Sequence, residues 1–330
     1  MLLPHERPCG TRRAQEASVT QQISGPSGHK LSVESLGDPE GKPVFLLHGT
    51  PGGRNGPRPR GIVLYRLGIR LISYDRPGYP GSDRAYGRTV ADAAEDVRAI
   101  ADHLGIDRFS VVGRSGGGPH ALACAALLPH RVICAAALSS LAPRDAKGLD
   151  WEAGMAKSNI TAFRYAALEP PNDLRSFLES QAKPVSERSE GLLNALRPEM
   201  DDDDKEVVDD AGLRQIIANV HVEALRDNID GWMDDAIALG RPWGFDPDKI
   251  AVPVKLWGAH DDVFSPVSHT YWLAEQIEDA EVEREYGKAH FSSVKILPKF
   301  LAWAARKAST EQLEEAGHPG ATGHLAGADR

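Results

Sequence analysis

The chain has 330 residues, 41% of them hydrophobic, and a formal net charge of −9. That length suits one α/β domain carrying an insertion and supplies a large core. The acidic balance and the lack of a long basic run exclude nucleic acid as an expected partner, and no apolar run is long enough to span a membrane.

Taken in chain order, residues 1–18 are polar and aperiodic and are expected to be flexible. Met1 to Gln22 carries Arg7, Arg12, Arg13 and Glu16 but no apolar core, so it does not read as a secretory signal. Val19–Ser24 and Lys30–Leu36 read as an opening hairpin around Gly25-Pro26-Ser27-Gly28. Strands are expected at Val44–Leu47, Arg70–Tyr74, Phe109–Val112, Val132–Leu138, Val254–Trp257 and Val282–Glu285. Helices are expected at Val90–Leu104, Pro119–Leu128, Pro266–Ile277 and Phe291–Lys307. Alternation of this kind predicts an α/β fold with a mostly parallel sheet covered on both faces.

Residues 145–245 break the rhythm. They hold helical patterns at Trp151–Leu168, Asp173–Ala182, Glu187–Leu196, Leu213–Ile229 and Trp232–Leu239 but no strand, which predicts an all-helical cap over a site. The run Asp201-Asp202-Asp203-Asp204-Lys205 inside it reads as a solvated helix start, since carboxylates suit a helix N-terminus. The expected organisation is core at 19–144, cap at 145–245, core again at 246–308, and a flexible Gly- and Ala-rich tail at 309–330. His318 and His324 in that tail are spaced too loosely for a metal site. Cys9, Cys124 and Cys134 form an odd set without metal spacing. Cys124 and Cys134 read as small buried hydrophobes, pointing to a reducing, cytoplasmic compartment.

The chemistry concentrates at Val111-Val112-Gly113-Arg114-Ser115-Gly116-Gly117-Gly118. An apolar strand stops at a glycine, and a serine follows at the start of a small-residue helix. This fits the G-x-S-x-G nucleophile elbow. A Cβ at 113 or 117 would strike the neighbouring strand or helix, and free N–H groups at the helix start favour developing negative charge. A serine needs a base and an orienting acid. Downstream, Leu256-Trp257-Gly258-Ala259-His260-Asp261-Asp262 offers two aspartates after a strand. His290 lies between the next strand and the last helix. Upstream, Val44–Leu47 runs into His48-Gly49-Thr50-Pro51-Gly52-Gly53, whose backbone can turn an N–H toward an oxyanion. Pro51 has no N–H, so Thr50 is the expected donor beside the N–H of Gly116. His48, His120 and His260 read as packing residues or bystanders, and Asp75 with Arg76 as a local pair.

These motifs, in the order HGTPGG, YDRPGYPGSD, GRSGGGPHALA, LWGAHDDVFSP and GKAHFS over residues 19–308, resemble the α/β-hydrolase superfamily, and among its members lid-containing esterases and proline iminopeptidases. The resemblance implies an eight-stranded sheet with a helical cap, a Ser-Asp-His triad and no cofactor. By motif position Ser115 is the nucleophile, His290 the base, and Thr50 and Gly116 the oxyanion donors. The family's acid stands three residues after the glycine ending its strand, which selects Asp261 over Asp262. Two places depart from the usual pattern: Arg114 precedes the nucleophile, and Pro80 replaces a glycine in the tyrosine–aspartate loop. Arg114, Trp232 and Met233 are the expected substrate contacts, with a small molecule as substrate. Cleavage of a carboxylic ester is the expected reaction. The rivals are a peptide bond next to an N-terminal proline, the C–C bond of a β-diketone-type acid whose carboxylate Arg114 would suit, acyl transfer or cyclisation on the same fold, and a non-catalytic binding protein. The iminopeptidases typically carry two glycines where this chain has Gly49-Thr50, and an acidic amine site in the cap.

Overall fold

In the computed structural model the described residues are 18–317. The expected strands form one eight-stranded sheet: β1 (Val19–Ser24), β2 (Lys30–Gly37), β3 (Lys42–Leu47), β4 (Ile69–Tyr74), β5 (Phe109–Arg114), β6 (Val132–Leu138), β7 (Val254–Ala259) and β8 (Ala280–Glu285). Their spatial order is β1-β2-β4-β3-β5-β6-β7-β8. β1 and β2 are antiparallel to their neighbours and the rest of the sheet is parallel.

The period of two along the central strands explains the two faces. Val44, Leu46, Val112, Cys134, Ala136 and Leu138 point to one side, where they meet Leu297, Phe300 and Trp303 of the last helix. Phe45, Leu47, Val111, Ala135 and Ala137 point to the other. There they meet Val97 and Ile100 of the helix Asp92–His103 and Leu122 of the helix Gly117–Leu127. Strands buried on both faces therefore read as continuous apolar runs.

The helices are α1 (Gly61–Arg66), α2 (Asp92–His103), α3 (Gly117–Leu127), then α4 (Lys157–Ala166), α5 (Asn172–Glu187), α6 (Gly191–Leu196), α7 (Asp202–Asp209), α8 (Ala211–Ala224) and α9 (Asp230–Leu239). After β7 come α10 (Val267–Gln276) and α11 (Ser293–Gly317). Among the described residues, 139–253 hold no strand, so α4–α9 form an all-helical segment between β6 and β7. Two expectations need correction. Trp151 to Ala156 is turn rather than helix, and the helix begins at Lys157. The last helix runs to Gly317, so the tail is helical over 309–317, where Glu, Gln, Leu and Ala favour helix. Residues 1–17 and 318–330, with Cys9, His318 and His324, lie outside the described residues.

The sheet order reverses at β3, which has β4 on one side and β5 on the other. Crevices at the carboxyl ends of strands form at such a reversal. Leu47 and Gly113 are paired in register there, so the loop after β3 and the turn after β5 emerge side by side. Among the described residues no helix is long and apolar enough to cross a membrane, and no group of three or more His, Cys, Asp or Glu is arranged to hold a metal ion.

Candidate active site

The turn after β5 is a tight elbow. Ser115 has a positive φ of 54°, and its N–H donates to the Leu138 carbonyl at 2.8 Å, tying the turn to β6. A Cβ on Gly113 would meet the Gly117 backbone and the Ala121 Cβ at 2.9 Å. One on Gly117 would sit 2.6 Å from the His48 carbonyl oxygen. Both glycines are thus demanded by close approach, of helix to strand in one case and of helix to the β3 loop in the other. The Nδ1–H of His120 donates to the Gly116 carbonyl at 2.7 Å from one turn further along α3. Burial pulls His120 down to about 3, so the ring is neutral.

Ser115 and His290 line one cavity, together with Thr50, Phe264 and residues from α4–α9 such as Phe177 and Trp232. His290 is buried at the start of a short 3₁₀ turn after β8. Its Nδ1 lies 3.0 Å from both carboxylate oxygens of Asp262. A carboxylate only accepts, so Nδ1 carries the proton and Nε2 is left to accept another. Asp262 is held in turn by the N–H groups of Phe264 at 2.9 Å and Ser265 at 2.7 Å.

The acid that reaches His290 is therefore Asp262 and not Asp261. β7 continues through Ala259 rather than stopping at Gly258. The turn then begins one residue later, and the position three residues past the strand end belongs to Asp262. Asp261 is half-buried beside Asp203, and its backbone N–H goes to the Lys288 carbonyl.

Thr50 and Gly116 face each other. A Cβ on Gly116 would lie 2.8 Å from the Thr50 Cβ and 3.3 Å from the Thr50 nitrogen. Among the described residues neither N–H is taken by a protein acceptor, which leaves two donors at the mouth of the elbow. The loop bearing Thr50 is fixed from below. His48 donates from Nδ1 to the Gly49 carbonyl at 2.8 Å, and its Nε2 accepts from the Arg76 N–H at 3.2 Å. Arg76 donates to the His48 carbonyl at 2.5 Å and the Gly49 carbonyl at 3.1 Å.

Arg76 does not pair with Asp75. Asp75 pairs with Arg54, whereas Arg76 crosses to Asp235 of α9, with Nε at 3.0 Å and Nη2 at 2.5 Å. Asp235 is fully buried and also accepts from Arg88 at 2.7 Å, Tyr79 Oη at 2.7 Å and Thr50 Oγ1 at 2.6 Å. Burial alone would raise this carboxyl. Arg76 and Arg88 overcome it and hold Asp235 well below the usual carboxylate range. Near His290, Asp204 of α7 accepts from the Phe291 N–H at 2.7 Å. Burial pushes Asp204 up to about 7, while His290 and the Phe291 N–H act the other way. The acidic run does start a helix, capped by Asp201, but Asp204 is buried rather than solvated.

Of the expected substrate contacts, Arg114 and Trp232 line the cavity. Met233 does not. It packs with Leu174, Leu178 and Ile229, because neighbouring helix positions point about 100° apart. Sequence reasoning missed Asp204, His221 and Asp235, all from the helical segment. The adjacent aspartates Asp234 and Asp235, followed by the apolar run Ala236–Leu239 of α9, were the available signal for Asp235.

Comparison with known proteins agrees with this fold. A proline iminopeptidase of Xanthomonas citri is 37% identical over 105 residues, covering 30% of this chain and 32% of that protein. The match thus spans about a third of that relative's length. The enol-lactonase of Burkholderia xenovorans LB400 superposes with a TM-score of 0.65 at 17% identity, covering 88% of this chain and 100% of that one. A thermophilic esterase of Thermogutta terrifontis, in a malate-bound structure, gives 0.62 at 19% over 89% and 98%. Likeness at that identity is likeness of fold. The family model described as alpha/beta hydrolase fold matches residues 42–295, from the first central strand to past His290. With that span and the sheet order above, the chain belongs to the alpha/beta hydrolase fold family.

Proposed function

We propose that this hydrolase cleaves carboxylic esters through an acyl-enzyme on Ser115. The observation that carries the reading is the buried His290–Asp262 pair opening onto the same cavity as Ser115, with Ser115 strained at the head of the elbow. In this mechanism His290 Nε2 takes the Ser115 proton as Oγ attacks the carbonyl carbon. Asp262 keeps the proton on Nδ1 and stabilises the imidazolium that forms. The N–H groups of Thr50 and Gly116 stabilise the tetrahedral oxyanion. His290 then protonates the leaving alcohol, and water repeats the sequence on the acyl-enzyme to release the acid and restore Ser115. The helices α4–α9 act as the cap that supplies the apolar wall, through Phe177 and Trp232 among others.

A prolyl peptidase reading is favoured by the sequence relatives. Such a substrate presents a free ammonium and needs an acidic partner close to the cleaved bond. Among the described residues the cavity lining includes no Asp or Glu, and this favours the ester. Ser115→Ala is expected to lose p-nitrophenyl butyrate hydrolysis and fluorophosphonate labelling while keeping the wild-type circular dichroism. Turnover of L-proline p-nitroanilide above that of the ester, or label on Ser115→Ala, would overturn the reading.

A further inference from the structure

Two residues that line the cavity carry buried polar atoms that the protein leaves unsatisfied. Arg114, the residue preceding Ser115, is about nine-tenths buried and lines the cavity. Its Nε donates to Ser293 Oγ at 2.7 Å and its guanidinium lies over the Phe291 ring at 5.9 Å. Its Nη2 is buried without a partner. His221 of α8 lines the same cavity, is likewise more than nine-tenths buried, and has an unpartnered Nδ1. Unmet buried polar atoms of this kind are costly and call for an explanation.

The nearby anions do not supply one. Among the described residues, no carboxylate comes within ion-pair distance of Arg114, although Asp262 and Asp204 are close enough to favour its charge. Asp262 is committed to His290 and two backbone N–H groups. Asp204 is committed to the Phe291 N–H, and its burial raises it to about 7, so it is only partly charged at neutral pH. Burial lowers Arg114 to about 10, which leaves it a cation. Burial and the Arg114 charge lower His221 to about 4, leaving a neutral ring with one N–H to give. A guanidinium and an imidazole N–H thus share the cavity with Ser115, and neither has a counter-ion.

We propose that Arg114 and His221 form a subsite for a carboxylate carried by the substrate, so that the preferred esters are monoesters of dicarboxylic acids. This rests on the ester hydrolase reading for its chemistry but not for its binding. A carboxylate there accepts charge-assisted hydrogen bonds from Arg114 Nη2 and a further one from His221, while its ester carbonyl extends toward Ser115. A prolyl ammonium would be repelled by the Arg114 cation.

The test uses methyl hydrogen esters from succinate to adipate against the matching dimethyl esters, which cannot ionise. Binding is measured by calorimetry on Ser115→Ala at low ionic strength, and kcat/KM on the wild type. The best monoester is expected to bind about tenfold or more tightly than its diester. The same preference should appear in kcat/KM. Arg114→Gln in the Ser115→Ala background should bring the ratio to about one, and His221→Phe should reduce it severalfold. Equal affinity for the two esters in Ser115→Ala, or a preference that survives Arg114→Gln, overturns the subsite. Should Arg114→Gln not fold by near-ultraviolet circular dichroism, the monoester-to-diester ratio and His221→Phe decide. Diesters turned over without any monoester preference would leave the hydrolase reading standing and remove the subsite. Monoesters bound through Arg114 but never cleaved would do the reverse.

Discussion

Two adjacent aspartates offer a sharp test of the site geometry. Asp262→Asn replaces an acceptor by an amide whose NH₂ faces His290 Nδ1, or whose lone oxygen must serve Nδ1 and the N–H groups of Phe264 and Ser265 together. Either way the Nδ1–H tautomer loses its charged partner, and the imidazolium formed on proton transfer is left without a carboxylate. Asparagine at the corresponding position of the well-studied serine protease triad lowers kcat about 10⁴-fold, equivalent to about 5 kcal/mol of transition-state stabilisation. A loss of about 10³- to 10⁴-fold in p-nitrophenyl butyrate kcat is therefore expected, with fluorophosphonate labelling slowed in parallel. Asp261→Asn alters a half-buried side chain that does not touch His290, so its kcat should stay within about twofold, as for a surface change outside the reacting groups. The assay is steady-state hydrolysis normalised to active sites by burst titration. If Asp261→Asn lost activity to the same extent as Asp262→Asn, the assignment from the His290 contact would be refuted.

Three further outcomes follow from the contacts. Asp235→Ala would strand two buried guanidiniums and should cost about 3–5 kcal/mol in urea unfolding; a loss under about 1 kcal/mol would mean that the network is not a buried ion cluster in solution. Gly116→Ala drives a Cβ against the Thr50 side chain and to 3.3 Å from its nitrogen. Its kcat should fall about 10²- to 10³-fold, as for loss of one oxyanion donor, with KM little changed, and a kcat within threefold of wild type counts against the donor pair. The folded state keeps His120 neutral down to about 3, whereas the unfolded chain protonates it near pH 6.5. The stability from this depressed pKa is therefore whole above pH 6.5 and drains away as the pH falls toward 3. Between pH 7.5 and 5 the wild type should lose about 2 kcal/mol more than His120→Asn, and parallel pH curves for the two would sink this reasoning.

What could be read from the sequence was what the chain decides locally. The Ser115 elbow is written within five residues, because Gly113 and Gly117 answer to contacts that any such turn creates. The strands were legible because both faces are buried and the runs stay apolar. Asp262 was misread by one residue because the cue was the glycine at 258, while hydrogen bonding to β8 carries β7 on to Ala259. Arg76 was assigned to its neighbour Asp75, but their real partners lie at Asp235 and Arg54. No local pattern announces a contact made across 159 positions. Met233 was grouped with Trp232 on residue type alone, and only the packing of α9 tells which of the two meets the cavity.

The same long-range contacts change how the helical segment is understood. Asp235 ends on the Thr50 hydroxyl and on the arginine that holds the His48 and Gly49 carbonyls. Asp204 ends on the Phe291 N–H, one residue past His290. Two buried carboxylates from α7 and α9 are thus tied to the two loops on which the proposed chemistry depends, one on the oxyanion side and one on the base side. Neither carboxylate is itself part of the cavity lining, although the Thr50 and Phe291 ends of the two ties are. A helical segment held only by apolar contact could be exchanged freely, since hydrophobic packing is non-directional. This one cannot be, because removing either carboxylate leaves buried donors unpaired at the loop it anchors. Exchange of α4–α9 for unrelated helices should therefore impair the oxyanion loop and the His290 turn together, and not only the choice of substrate.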